Sequence, residues 1–482
     1  MRFKLNINRL FLIGSFLLAV ALPGKSQTNM VFYPLDEQIN SSGMNPSFLT
    51  KQNRFTFSIF PLSGLNVGYN NQQAVKNMLT DFVRGDQTNE QFREVFNSMI
   101  ELELFYQRLE DNLVSLGYNS SLGSFDFRIK ENIQLLTDVK NNFSEFLINN
   151  TAQSIALGTP ESFPALALHY REYSLGYAKE IIRNKLSVGV RLKAYFGKAA
   201  MESSASGVVV QKNSDIYLQT NGRLNISAPI DVVSYSDNSL QTVALDDNFS
   251  AGNYLMNSKN SGFGFDIGFN YQLTPELSFS ASVIDVGKIN WKNNLNNMNF
   301  EGEYKLPAEF IVANADGVLT KNPGFTSETV SFPELYKIKT DTLPYTTQMP
   351  MSVYAGIKYR LSSRFNLSLT DRFIYAPSMS FNSIMATGIY DLKQNLSLSA
   401  GLSVLGNSYV NMPFALLYSW RGGQVYAGTD NLLSVLIPSV SEFSGITFGM
   451  CFYPFKEKMR YNDQIDYLPF YREKKHKGGR DK

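Results

Sequence analysis

The sequence predicts an all-β fold, an antiparallel transmembrane β-barrel of about 14 strands, and three observations carry that expectation. Long segments alternate apolar and polar residues with period two. The N-terminus has the order of an export signal. Nothing after it is apolar for the roughly 20 residues that a spanning helix needs. A barrel shows lipid only at every second residue, so its overall composition stays that of an ordinary globular chain. Here hydrophobic residues are 44% of 482.

The signal comes first in the chain. Met1-Arg2-Phe3-Lys4 and Arg9 precede an apolar run from Leu10 to Leu22, followed by Pro23, Gly24, Lys25 and Ser26. Residues 1–26 are therefore expected to be a signal peptide, with the mature chain starting near Gln27. The single cysteine, Cys451, allows no internal disulfide and no lipid-anchored N-terminal cysteine.

The alternation is clearest from Gly262. Phe263, Phe265, Ile267, Phe269, Tyr271 and Leu273 oppose Gly264, Asp266, Gly268, Asn270 and Gln272. Leu186 to Phe196, Val353 to Leu361 and Leu396 to Val404 repeat the pattern. These runs match the ~9–11 residues of a tilted membrane strand and exceed the average soluble strand of about 5–6. Strands are expected near 54–60, 64–70, 122–130, 165–181, 186–198, 202–212, 216–228, 262–273, 276–287, 296–304, 350–361, 365–376, 380–390, 395–405, 410–420, 423–430 and 444–453. Some of these are loop hairpins, and a single-chain barrel closes on an even number, so 14 is expected and 16 is the alternative. The barrel then occupies 27–454, with long surface loops at 229–261 and 305–349 and a polar, basic periplasmic tail at 455–482.

One region, 74–150, departs from alternation. Val75, Met78, Leu79, Phe82 and Val83 fall at helical spacing, and Thr88 with Gln91 makes a capping box before Phe92, Val95, Phe96 and Met99. Leu136, Val139, Phe143 and Phe146 continue the spacing through Ile133 to Asn150. A helical insert over 74–116 and 131–150 is expected, its stripes buried inside the barrel or across its mouth as a hatch.

Several motifs resemble an uncharacterised family of outer-membrane barrels from Bacteroidota. They are Ser42-Gly43-Met44-Asn45-Pro46-Ser47-Phe48, Tyr170 to Tyr177, Lys185 to Lys193, Phe196 to Ala199, Gly264 to Gly268, Ile284 to Trp291 and Gly428-Thr429-Asp430-Asn431-Leu432. The resemblance spans nearly the whole mature chain. Asn45-Pro46 is also similar to the opening of the long-chain fatty-acid-transporter-like barrels, a group that includes a subunit of the type IX secretion system. The resemblance implies outer-membrane location, barrel architecture and a β-hairpin-rich opening, from which the helical reading of 74–116 departs. It implies no ligand.

Catalytic and metal motifs are absent from the sequence. There are two histidines: His169, read as a polar residue of the barrel interior beside Leu166, Leu168 and Tyr170, and His476 in the tail. No zinc spacing occurs, Gly262 to Gly268 is not a phosphate loop, and no cofactor is expected. The net charge of +2 gives no footprint for nucleic acid. Arg191, Lys193, Asp266, Lys358, Arg360 and Arg372 fall on the wet parity. Facing lipid, each cation would cost ~2–4 kcal/mol, so all six are expected to line the lumen. Asp285 and Asp371 have no clear parity. The expectation is a non-enzymatic barrel, a passive channel for small or amphiphilic solutes with a helical hatch. A non-transporting accessory barrel in secretion or outer-membrane assembly is the alternative. Outer-membrane lipid, a hydrophobic or amphiphilic ligand, and secretion or assembly subunits stay open as partners.

Overall fold

A computed structural model describes residues 29–52, 55–60, 62–70, 104–138, 154–156, 161–212, 215–234, 240–246, 248–305, 311–313, 318–321, 337–377, 379–393, 395–405, 410–437 and 443–454. The wall is a closed, antiparallel barrel of 14 strands. In chain order they are β1 (Phe55–Ile59 with Leu65–Asn70), β2 (Leu104–Ser120), β3 (Gly123–Asp138), β4 (Glu161–Ile182), β5 (Leu186–Lys212), β6 (Asn260–Gln272) and β7 (Leu277–Trp291). The circle continues through β8 (Met351–Arg360), β9 (Phe365–Ala376), β10 (Met379–Lys393), β11 (Leu396–Leu405), β12 (Phe414–Trp420), β13 (Gly423–Thr429) and β14 (Phe443–Phe452). It closes where β14 pairs with β1, Leu65 opposite Phe448 and Asn70 opposite Phe443. Among the described residues no helix is long and apolar enough to cross a membrane.

Alternation fixes which way each strand faces. On β6, Phe263, Phe265, Ile267 and Phe269 are exposed on the outer surface, while Gly264, Asp266, Gly268 and Asn270 are buried. Aromatic and aliphatic side chains likewise cover the outside of β4, β8, β9 and β10, among them Leu175, Tyr177, Tyr359, Leu369 and Tyr390. One end carries short turns such as 183–185 and 273–276, and the other carries the long connections. There, β5 outruns the barrel and pairs with Asp215–Ser227, which pairs with Asn297–Lys305 and through it with Lys337–Asp341. Three of the expected strands belong to this flange, since 202–212 is the top of β5 while 216–228 and 296–304 lie outside the closed circle; 54–60 and 64–70 are two parts of the one strand β1, and β2 was not among the expected strands.

The helical reading of 104–116 and 131–138 is corrected, because both stretches are wall strands, paired in one hairpin from Leu104 opposite Asp138 to Ser120 opposite Gly123. The apolar spacing misled because residues three apart on a strand lie on opposite faces. Leu136 is buried with Asp126, Arg128, Lys130, Asn132 and Gln134 on one parity, whereas Ile133 belongs to the other. The rest of the expected insert, 74–103 and 139–150, lies outside the described residues.

Candidate functional site

The lumen is filled by a segment that has no strand or long helix. Residues 29–52 run as a 3-10 turn at Met30–Phe32, a helical turn at Ser41–Met44 and a 3-10 helix at Pro46–Lys51. Such short turns cannot satisfy their own backbone, so side chains and the wall must do it. Asn45 shows how. Its Oδ1 accepts from Ser47 N at 3.0 Å and Ser47 Oγ at 2.7 Å, capping the last helix, whose first residue is Pro46. Its Nδ2 donates to the carbonyls of Phe269 at 3.1 Å and Ala281 at 3.3 Å, on β6 and β7. The wall is glycine at these contacts. A Cβ on Gly189 would sit 2.4 Å from the Pro46 carbonyl carbon, and one on Gly268 would sit 2.2 Å from Asn45 Oδ1. Asn45-Pro46 is thus the point at which the plug rests on the wall.

Further anchors surround the segment. Asp430 accepts from the backbone N–H groups of Met30 and Val31, the latter at 3.1 Å. Asn431, next to it, begins the short helix Leu432–Leu436 and accepts from Ser434 Oγ through its carbonyl. Gln424 accepts from Ile39 N at 3.3 Å, and Ser282 Oγ donates to the Met44 carbonyl at 2.6 Å. Asp36 bridges the Lys51 ammonium of the plug and Lys358 of β8, the latter at 2.9 Å. Burial raises the Asp36 carboxyl, but the two ammoniums outweigh it and hold it below the usual carboxylate range.

The plug meets two unlike walls. Towards β8, β10, β12 and β13 the contact is apolar: Met30, Phe32, Leu35, Ile39 and Phe48 pack in one cluster with Tyr354, Met385, Ile389, Leu417 and Tyr426. Tyr33 stacks on Tyr354 at 5.0 Å, and Phe32 meets Tyr426 edge-on at 5.4 Å. Towards β2 to β7 the contact is ionic. Arg128 and Arg191 share Asp126 at 2.6 and 2.7 Å, and both reach the Ser42 region of the plug, Arg191 donating to the Ser42 carbonyl at 2.8 Å. Lys193 pairs with Asp266 at 2.8 Å and Asp285 at 2.6 Å, and Arg108 pairs with Asp285 at 2.8 Å and Glu110 at 3.1 Å. Lys130 closes the chain on Glu110. Buried charge is tolerated when paired and bonded in this way.

Asp285 enters the network through a bulge. Val286 opposes Phe265 and Val283 opposes Ile267, so Ile284 and Asp285 share Asp266 as partner, and Asp285 takes φ 63°. That insertion obscured its parity in the sequence. Of the six lumen candidates, the structure brings Arg191, Lys193 and Asp266 into this one network. Lys358 meets Asp36. Arg372 donates to Ser352 Oγ at 3.1 Å and lies 5.2 Å from the Tyr354 ring centroid. Arg360 lines a polar vestibule of about 370 Å³ at the short-turn end, beneath the plug, with Lys185, Glu276 and Arg421. On the other side of the plug, a cavity of about 60 Å³ is lined by Arg108, Glu110, Lys130, Asp285 and Gly64.

His169 requires a correction. It lies on the outer side of the wall, where its Nε2 is 3.0 Å from Glu131 Oε1 and its Nδ1 is 2.5 Å from Tyr254 Oη in the loop helix Ala251–Leu255. Polarity inverts along β4. Leu175 and Tyr177 face outwards near the short-turn end, but Leu166, Leu168 and Tyr170 face inwards near the other, in a cluster with Tyr195, Ile289, Trp291 and Ile374. Beyond the apolar belt the outside is polar, so "wet parity" no longer means lumen. Among the described residues no group of three His, Cys, Asp or Glu is placed to hold a metal ion.

A closed barrel carrying its own N-terminal segment in the lumen is a plugged β-barrel. The chain belongs to the Family of unknown function (DUF5723), whose model matches residues 46–430, from Pro46 in the plug to its anchor Asp430. No curated protein matches. Among solved structures, the chain is similar to the P. putida toluene transporter TodX at 9% identity and TM-score 0.38, covering 87% of this chain and 95% of that one. It is similar to the CymD monoaromatic hydrocarbon channel at 11% and 0.35, covering 87% and 94%. For a Pseudomonas aeruginosa FadL homologue the figures are 8% and 0.32, covering 70% and 76%.

Proposed function

We propose that the chain sits in the bacterial outer membrane as a passive, plug-gated channel for small or amphiphilic solutes, with residues 29–52 as the hatch. The observation that carries this reading is the closure of the lumen by the chain's own segment, held by hydrogen bonds and ion pairs on one flank and an apolar cluster on the other. The outer apolar belt supports the membrane setting. Phe60 and Leu62 add to that apolar outer surface, on a stretch of β1 whose backbone stays bonded to β2 and β14 through Phe60 N to the Leu113 carbonyl at 2.9 Å and Met450 N to the Leu62 carbonyl at 2.5 Å. The plug's two-sided surroundings, apolar on one flank and ionic on the other, suit an amphiphile.

The test is flux through purified barrel in liposomes, measured for a small sugar and for an alkyl-chain amphiphile, with Asn45→Ala plus Asp430→Ala to release both ends of the plug. Flux of either solute that rises in the double variant supports the channel. A folded double variant that passes neither solute leaves the accessory barrel as the reading, for which the mutual neutralisation of the lumen charges already speaks.

A further inference from the structure

Among the described residues, the outer belt carries an acid that alternation does not explain. Asp371 lies on β9 between Leu369, 48% exposed, and Phe373, 39% exposed, on the same outward parity. Its neighbours across the ladders are Ala355 on β8 and Ile384 on β10, both outward. Aromatic residues mark the limits of the belt on this strand, Phe365 opposite Tyr390 at one end and Tyr375 at the other. At about 3.3 Å per residue and a tilt of about 40°, Asp371 stands roughly 15 Å above Phe365 and 10 Å below Tyr375, near mid-belt. One of its carboxylate oxygens is enclosed by the chain itself, while the other opens on the outer face with no hydrogen bond among the described residues; hydrocarbon offers it none.

The same face holds a donor. Asn382 on β10 is exposed, opposite Phe373, one outward position along from Asp371. Its Oδ1 accepts from Ser383 N at 2.9 Å, while its Nδ2 has no acceptor among the described residues. The outward side chains next to the two are Ala355, Leu369, Phe373 and Ile384, an apolar surface in which a polar pair shared between two chains finds no competing partner.

We infer that this face binds a second copy of the chain, Asp371 of each copy accepting from the Asn382 carboxamide of the other. An acceptor and a donor on a single patch are what a two-fold contact needs, since each residue then meets the other's counterpart. The inference rests on the membrane reading above. Inside hydrocarbon the pair would satisfy two carboxylates and two amides at once.

The experiment measures the mass of the refolded, full-length chain in lipid nanodiscs, alongside heat-modifiable gel migration. Modifiable migration establishes the folded barrel independently of its stoichiometry. The expected result is a dimer whose association weakens by about tenfold or more in Asp371→Leu and in Asn382→Leu. Asp371→Asn keeps an acceptor and should retain the dimer. A folded wild-type chain that is monomeric overturns the inference, as does a dimer untouched by both leucine substitutions. A wild-type chain that stays soluble without lipid or detergent overturns the membrane reading as well.

Discussion

Gly189→Ala perturbs the plug by adding one methyl group and removing nothing. The new Cβ would meet the Pro46 carbonyl carbon at 2.4 Å and Ser47 N at 2.5 Å, both backbone atoms of the plug. No side chain can swing aside to relieve the clash, so the plug or the strand must shift. Overpacking of this kind costs about 1–3 kcal/mol. If the strain falls on the closed state alone, each 1.4 kcal/mol raises the ratio of open to closed plug about tenfold. The variant should therefore open some five- to 150-fold more often, on the same arithmetic. Single-channel recording in planar bilayers reads that directly, with heat-modifiable migration confirming that the barrel has formed. A folded variant with wild-type open probability would refute the idea that contact at Asn45-Pro46 closes the lumen.

Three other outcomes follow from the geometry. Lys193→Met leaves Asp266 and Asp285 short of their shared cation and should lower stability by about 3–5 kcal/mol, read as the denaturant midpoint of the refolded barrel; adding Asp285→Asn should recover part of the loss. Leu369→Arg puts a cation on the outer belt at a cost of about 2–4 kcal/mol, and should reduce the heat-modifiable folded fraction. The Asp36 carboxyl titrates lower in the folded chain than its unfolded value of about 3.9, so its contribution is complete above that pH and is lost only as pH falls through the lowered value. Asp36→Asn, which removes that charge at every pH, should raise the conductance at pH 7, whereas a folded variant with wild-type conductance would show that Asp36 does not latch the plug.

The wall was legible because a closed barrel turns alternate residues to two unlike faces. Arg191, Lys193 and Asp266 could be assigned inward from parity alone, since a cation facing hydrocarbon is penalised whatever its neighbours are. The plug was not legible. Its three helical turns are three, four and six residues long, too short for a period to emerge, and its apolar residues pack in one cluster with side chains of the wall. The available signal was Asn45-Pro46-Ser47, an N-cap followed by proline at the first helical position, which marks a helix start without saying where it packs. In the hairpin β2–β3 a strand was expected at 122–130, but 104–116 and 131–138 were misread for a related reason. Its inward face is so polar, with Asp126, Arg128, Lys130 and Asn132 in sequence, that the scattered apolar residues of both faces mimic a helical stripe. His169 lies beyond the apolar outer belt, and there the parity lost its meaning.

The central claim is that residues 29–52 close the barrel. Its most direct test compares the planar-bilayer conductance of the refolded barrel with and without that segment, each shown to be heat-modifiable. The account predicts a closed or rarely opening full-length chain and a persistently conducting deletion variant, while equal conductance from two folded barrels would contradict it.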